Sequence, residues 1–92
     1  MNANAKGARL ERRSRDLLEA AGYQVTRAAG SLGAWDLIAI GPRDLVLCQV
    51  KSRDWPGPRE RAGLAAFPCP PYTRKLLHRW RRGQRQPDVR AL

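Results

Sequence analysis

The sequence is poor in the residues from which disulfide frameworks, zinc sites and membrane spans are built. It holds one histidine, His78, and two cysteines, Cys48 and Cys69, in 92 residues. Cys48 sits in an apolar stretch, Cys69 between two prolines, and neither belongs to a CxxC pair. Together with His78 they supply too few ligands, at irregular spacing, for structural zinc, and they read as buried or incidental thiols. No apolar run approaches the roughly 20 residues that cross a bilayer. The opening MNANAKGARLERR also lacks the apolar stretch of a signal peptide. The expectation is a soluble, cytoplasmic protein with no membrane partner and no small-molecule cofactor.

Acidic residues are scarce as well. Eight carboxylates face 18 basic side chains, for a formal charge of +10, and 15 of those 18 are arginine. The planar arginine fork pairs bidentately with phosphate, so a surplus of this kind points to a polyanion, with nucleic acid ahead of a membrane surface or an acidic protein. With 42% hydrophobic residues the chain should fold, around one modest core and as one small domain. A core of that size makes oligomerisation a reasonable expectation.

Residues 6–21 read as a helix. Leu10, Ser14, Leu17, Leu18 and Ala21 fall on one face of a 3.6-residue period, and Gly22 supplies the stop. Residues 23–51 read as a three-strand core: Tyr23 to Arg27, Trp35 to Ile40 and Asp44 to Lys51. A glycine loop (Gly30, Ser31, Gly33) follows the first strand, and a Gly41-Pro42-Arg43-Asp44 turn makes the last two antiparallel neighbours. Residues 52–73 form a proline-rich connection in which Arg59 to Ala66 has room for one or two helical turns. Residues 74–92 read as a final strand pair across Arg82-Gly83-Gln84, with a helix over 74–82 as the competing reading. His78 reads there as a strand surface residue without a catalytic partner. Trp35, Trp55 and Trp80 could stack on unpaired bases, although packing is the commoner fate of tryptophan.

The middle hairpin carries the chemistry. If its turn is symmetric about Pro42-Arg43, cross-strand partners have numbers that sum to 85, so Ile38 faces Leu47 and Asp36 faces Gln49. Alternation then puts Asp36, Gln49 and Lys51 on one face. Polar groups ending such apolar strands are explained either by fraying into water or by function. The functional reading is phosphodiester hydrolysis. Asp36 and a neighbouring oxygen would hold Mg²⁺, with Mn²⁺ able to substitute, and Lys51 would orient a water or stabilise developing charge. Glu11, on nearly the same helix side as Leu18, could reach the site.

These residues resemble a known pattern. An acid on a strand, a short hairpin and then (D/E)-x-K is the motif of the PD-(D/E)XK nuclease superfamily. More narrowly, KGARLERRSRDLLEAAGYQVTRAAGS, WDLIAI and LVLCQVK resemble, in order and spacing from Lys6 to Lys51, the archaeal-type Holliday junction resolvases and their phage relatives. The resemblance implies a restriction-endonuclease-like α/β fold, a mixed central sheet flanked by helices. It places Glu11 on the family's helix acid, Asp36 on its metal-binding aspartate and Lys51 on its catalytic lysine. Ser31 falls on a loop serine associated with activity, and Arg27 on a strand arginine that touches phosphate. Lys6, Arg9, Arg12 and Arg13 would line the DNA-facing side of the first helix, with solvated helix charges as the plain alternative.

Gln49 departs from the family's usual glutamate. Its carbonyl can still ligate Mg²⁺ but adds no charge. The leading expectation is a metal-dependent, structure-selective endonuclease acting as a homodimer on branched or four-way DNA. The alternatives are a nuclease of the same fold acting on duplex or flap DNA as a nicking, repair or restriction-like enzyme, and a DNA-binding protein weakened in catalysis by Gln49.

Overall fold

The computed structural model describes residues 3–28, 30 and 32–92. Helix α1 (Ala3–Ala20) buries Leu10, Ser14 and Leu18 along one side, the stripe that a 3.6-residue period creates. Gly22, at φ 101°, ends it. Tyr23 N–H donates to Leu18 O at 3.1 Å and Gly22 N–H to Glu19 O at 3.0 Å, the paired bonds of a Schellman cap. Ala21, expected on the buried stripe, is exposed because it belongs to this cap. Among the described residues, no helix is long and apolar enough to cross a membrane.

Strands β1 (Gln24–Arg27), β2 (Leu37–Ile40) and β3 (Leu45–Lys51) follow, then helix α2 (Pro58–Ala66) and strands β4 (Thr73–Arg79) and β5 (Asp88–Ala91). They form one sheet in the order β1-β2-β3-β4-β5. The β2–β3 hairpin keeps the expected register, from Leu37 opposite Cys48 to Ile40 opposite Leu45. Its turn passes close to the Tyr23 ring, whose Cε1 would lie 2.9 Å from a Cβ at position 41, so any larger residue there would push the ring aside. Tyr23 Oη donates to Asp44 Oδ2 at 2.8 Å and pins the turn to the end of α1.

Strands β3 and β4 are parallel, which demands a crossover. The proline-rich segment supplies it. Pro58, at the start of α2 after the extended Gly57, suits a position whose N–H has no helical partner. At the other end, Lys75 Nζ donates to Phe67 O at 2.8 Å and to Ala65 O at 2.6 Å. That cation satisfies carbonyls a helix end leaves open. Residues 73–79 are strand, which settles the competition with a helix over 74–82.

Each sheet face has its own core. Toward α1 lie Leu18, Val25, Leu37, Ala39, Val46, Cys48 and Leu76. On the opposite face Trp35, Leu47, Leu64 and Leu77 pack together, with Phe67 edge-on to Trp35 at 6.2 Å. Trp80 is buried as well. Trp55 is half-buried, with the Arg79 and Arg90 guanidinium groups over its ring at 4.5 and 4.6 Å. All three tryptophans are thus used in packing.

His78 corrects the sequence reading: it is buried, not a surface residue. It shares the α1-facing side of β4 with Leu76, and its Nδ1 lies 2.9 Å from Ser14 Oγ. Trp80 Nε1 donates to the same oxygen at 2.8 Å. An indole N–H can only donate, so the hydroxyl accepts from Trp80, and its second bond, to His78 Nδ1, ties the imidazole into the same buried network. Burial disfavours the charged imidazolium and lowers the His78 pKa from 6.5. Below pH 6.5 the unfolded chain therefore binds the proton that the folded chain resists, and stability falls with pH. We expect the thermal midpoint to drop between pH 7.5 and 5.5, and His78→Gln to remove most of that slope. An unchanged slope in the variant would assign it to another group. Ser14→Ala strands two buried partners and should cost about 1–3 kcal/mol, measured by urea unfolding at pH 7.5.

Candidate functional site

Asp36 lies where the β2–β3 ladder stops being regular. The β1 side continues, with Ala28 N–H donating to Asp36 O at 2.9 Å. On the β3 side, Asp36 N–H donates to Cys48 O at 2.9 Å, although Cys48 is the register partner of Leu37. This one-residue offset has the character of a bulge, which re-aims a side chain. The carboxylate takes over as acceptor for the next amide: Val50 N–H donates to Asp36 Oδ2 at 2.7 Å. The expected direct pairing of Asp36 with Gln49 is thus replaced by a bond from the Asp36 side chain to the β3 backbone.

Burial raises the Asp36 pKa above 3.8, and the Glu11 charge adds to it. The Val50 N–H, Lys51 and Arg27 act in the opposite direction. The same influences show that Glu11, Arg27 and Lys51 sit within electrostatic reach of this carboxylate. Glu11 accepts from Arg27 Nε at 3.1 Å. It also lines an open cleft with Lys6, Val50, Lys51 and Arg53, between the start of α1 and the end of β3. Beneath the site the Cys48 thiol is buried and pushed up to about 12, which leaves it protonated and inert.

Gln49 and Lys51 turn toward α2. Gln49 is 3% exposed, and its Nε2 donates to Ala34 O at 3.4 Å and to Glu60 Oε2 at 3.3 Å. Two acceptors on that side identify it as the amide nitrogen. The carbonyl Oε1 is buried with no hydrogen-bond partner. Lys51 Nζ lies 3.5 Å from Glu60 Oε1. Glu60 was missed in the sequence: it stands in a proline-rich crossover, in a short helix with no motif tying it to the hairpin.

The basic residues divide. Lys6 and Arg9 line a second cleft with Arg13, Trp80, Arg81 and Arg82, while Arg12 lies with Glu11, Arg15 and Arg27 on the other side of α1. Arg13 is committed to structure, stacked 4.1 Å over Trp80 and donating to Gln84 O at 2.9 Å. Ser31 lies outside the described residues.

Among the described residues, no three His, Cys, Asp or Glu side chains approach closely enough to hold a metal ion. Position 49, an acid in the family pattern, holds a glutamine here. The oxygens that are present are two carboxylates, Asp36 and Glu11, and the unpartnered Gln49 carbonyl. They are hard donors of the kind Mg²⁺ or Mn²⁺ takes, and a buried carbonyl lacking a partner is consistent with a cation or its water bonding there.

A five-stranded mixed sheet covered by a helix on each face, with an aspartate entering β2 and a lysine ending β3, defines a restriction-endonuclease-like nuclease. The model of the archaeal Holliday junction resolvase (Hjc) family matches residues 2–56, from α1 through β3. The chain belongs to the archaeal Holliday junction resolvase family, and it is a nuclease that hydrolyses DNA. The fold is similar to that of Hjc, a Holliday junction resolvase from the archaeal hyperthermophile Archaeoglobus fulgidus. The TM-score is 0.70 at 23% identity, covering 95% of this chain and 71% of that one. No curated protein matches the sequence.

A raised carboxyl pKa means that ionised Asp36 destabilises the metal-free fold at neutral pH. Asp36→Asn keeps an acceptor for Val50 N–H and removes the charge, so it should raise the metal-free thermal midpoint. Asp36→Ala leaves that N–H without its acceptor and should lower the midpoint, by about 1–3 kcal/mol of stability. Scanning calorimetry in a chelator checks both, and equal effects of the two variants would contradict this account of the bond.

Proposed function

We propose that the protein is a divalent-metal-dependent, structure-selective endonuclease that cuts branched DNA, foremost the four-way junction, as a homodimer with one such domain per subunit. The observation that carries this reading is the Asp36 carboxylate, held against the β3 backbone within reach of Glu11 and Lys51. In this reading Asp36, Glu11 and Gln49 Oε1 hold Mg²⁺ or Mn²⁺. When bound, the cation supplies polarisation of the phosphate and a more acidic water. Lys51 sets an ammonium beside the scissile phosphate, where it stabilises negative charge that grows in the transition state. A neutral carboxamide at position 49 makes the cation affinity weaker than a glutamate would, so the enzyme should need more metal for half-maximal rate.

Substrate choice rests on shape. Lys6, Arg9, Arg12 and Arg27 would contact phosphates, which positions a duplex without reading its bases. Arg13 would contribute chiefly by shaping the cleft over Trp80. Ser31 keeps its proposed role through the family pattern alone. A two-fold dimer would present two matched sites to the two strands that resolution must cut.

Labelled four-way junction, flap, nicked duplex and single-stranded DNA, incubated with Mg²⁺ or Mn²⁺, test this directly. We expect junction cleavage above the other substrates, and its loss in Asp36→Ala and Lys51→Ala with junction binding in chelator retained. Light scattering should give twice the chain mass. Binding without cleavage, unaltered by Gln49→Glu, would instead establish a DNA-binding protein.

A further inference from the structure

Glu60 stands on the first turn of α2, beyond residues 2–56 that carry the family match. Its two carboxylate oxygens are divided between two site side chains: Oε2 accepts from Gln49 Nε2 at 3.3 Å and Oε1 faces Lys51 Nζ at 3.5 Å. We propose that Glu60 is a positioning residue of the cleavage site, supplying from α2 the negative charge that the family pattern puts at position 49. This rests on the reading of the Asp36–Lys51 site given above.

The geometry gives Glu60 two tasks. A carboxamide has a donor end and an acceptor end, and which end faces the reacting centre decides whether it can serve a cation. Glu60 and Ala34 O both take the donor end, so turning Gln49 over would break both bonds and set Oε1 against two acceptors. The carbonyl is thereby the end left free, as it is in the structure. Lys51 is tethered to the same carboxylate, so Gln49 and Lys51 are oriented by one group. The anchor is itself fixed: α2 is pinned by buried Leu64 against Trp35 and Leu77 and by Lys75 at its far end.

A structural ion pair is the competing account. The Lys51 and Glu60 side chains are 33% and 41% exposed, and a pair that exposed adds little to stability. Removing the Glu60 charge should therefore leave the fold intact while disturbing the site.

The test compares four full-length proteins: wild type, Glu60→Gln, Gln49→Glu and the double variant Gln49→Glu/Glu60→Gln. The double variant exchanges the acid and the amide, so it keeps the charge, the mutual hydrogen bond and an acceptor for Lys51. Glu60→Gln should lose about tenfold or more in kcat for junction cleavage with KM unchanged, and about tenfold in Mn²⁺ affinity by calorimetry without DNA. Its thermal midpoint in chelator should match wild type, and the Gln49 side-chain amide resonance should shift. The double variant should recover cleavage and Mn²⁺ affinity to within about threefold of wild type. Wild-type kcat in Glu60→Gln, or a double variant no better than Glu60→Gln, overturns the proposal. If wild type cuts no DNA, the reading of the site as a cleavage centre fails by itself. Mn²⁺ affinity and the Gln49 resonance then still decide Glu60: a loss and a shift in Glu60→Gln uphold its positioning role, and no change in either overturns it.

Discussion

β3 has to be covered on both sides. Val46 and Cys48 point into one core and Leu47 into the other, so this strand cannot be stable as half of an exposed hairpin. Covering it draws in α1 on one face and α2 on the other, and α2 lies within the crossover that the parallel pairing of β3 with β4 requires. The arrangement of both helices therefore follows from one doubly apolar strand. So does the placement of the chemistry, because Gln49 and Lys51 are the residues at which that strand turns polar. They are carried by the most firmly packed element of the fold, which suits a site that must hold its geometry.

Asp36 shows what the site costs. In the metal-free fold its carboxylate is partly buried, close to Glu11 and pushed toward its protonated form. The Val50 N–H, Lys51 and Arg27 offset this only in part. A sequence selected for stability alone would put an uncharged acceptor there, since an asparagine could serve the same amide. Keeping the acid is the kind of local inconsistency expected where function competes with folding. Lys51 is divided in a similar way, within range of Asp36 yet facing Glu60 at 3.5 Å.

How much of this could be read from the residues depended on distance along the chain. The Leu10–Leu18 stripe with Gly22, and the hairpin register about Pro42-Arg43, are set by local periodicity and turn chemistry, and both were legible. Asp36 reads from the sequence as part of a strand from Trp35 to Ile40, whereas β2 begins at Leu37, and alternation could not foresee the one-residue offset that turns its carboxylate onto Val50 N–H. His78 was misjudged because its partner, Ser14, lies on a helix 64 residues away. No local pattern marks a strand histidine as matched to a buried hydroxyl. Glu60 was invisible for the same reason: its tie to Gln49 exists only once the proline-rich crossover has folded.

A surplus of +10 points to a polyanion without saying where it would bind, and arginine here has two kinds of role. Arg13 covers Trp80, and Arg79 and Arg90 both lie over the Trp55 ring. These guanidinium groups substitute for apolar packing that a 92-residue chain has little material to provide. Lys6, Arg9, Arg81 and Arg82 lie along clefts that open beside α1, one of them walled by the stacked Arg13. Glu11 and Lys51 stand in the same cleft as Lys6, so a phosphate drawn toward that cation arrives beside the carboxylates as well. Net charge thus indicates that the partner is a polyanion, while the distribution of arginine between packing and clefts determines where it would sit.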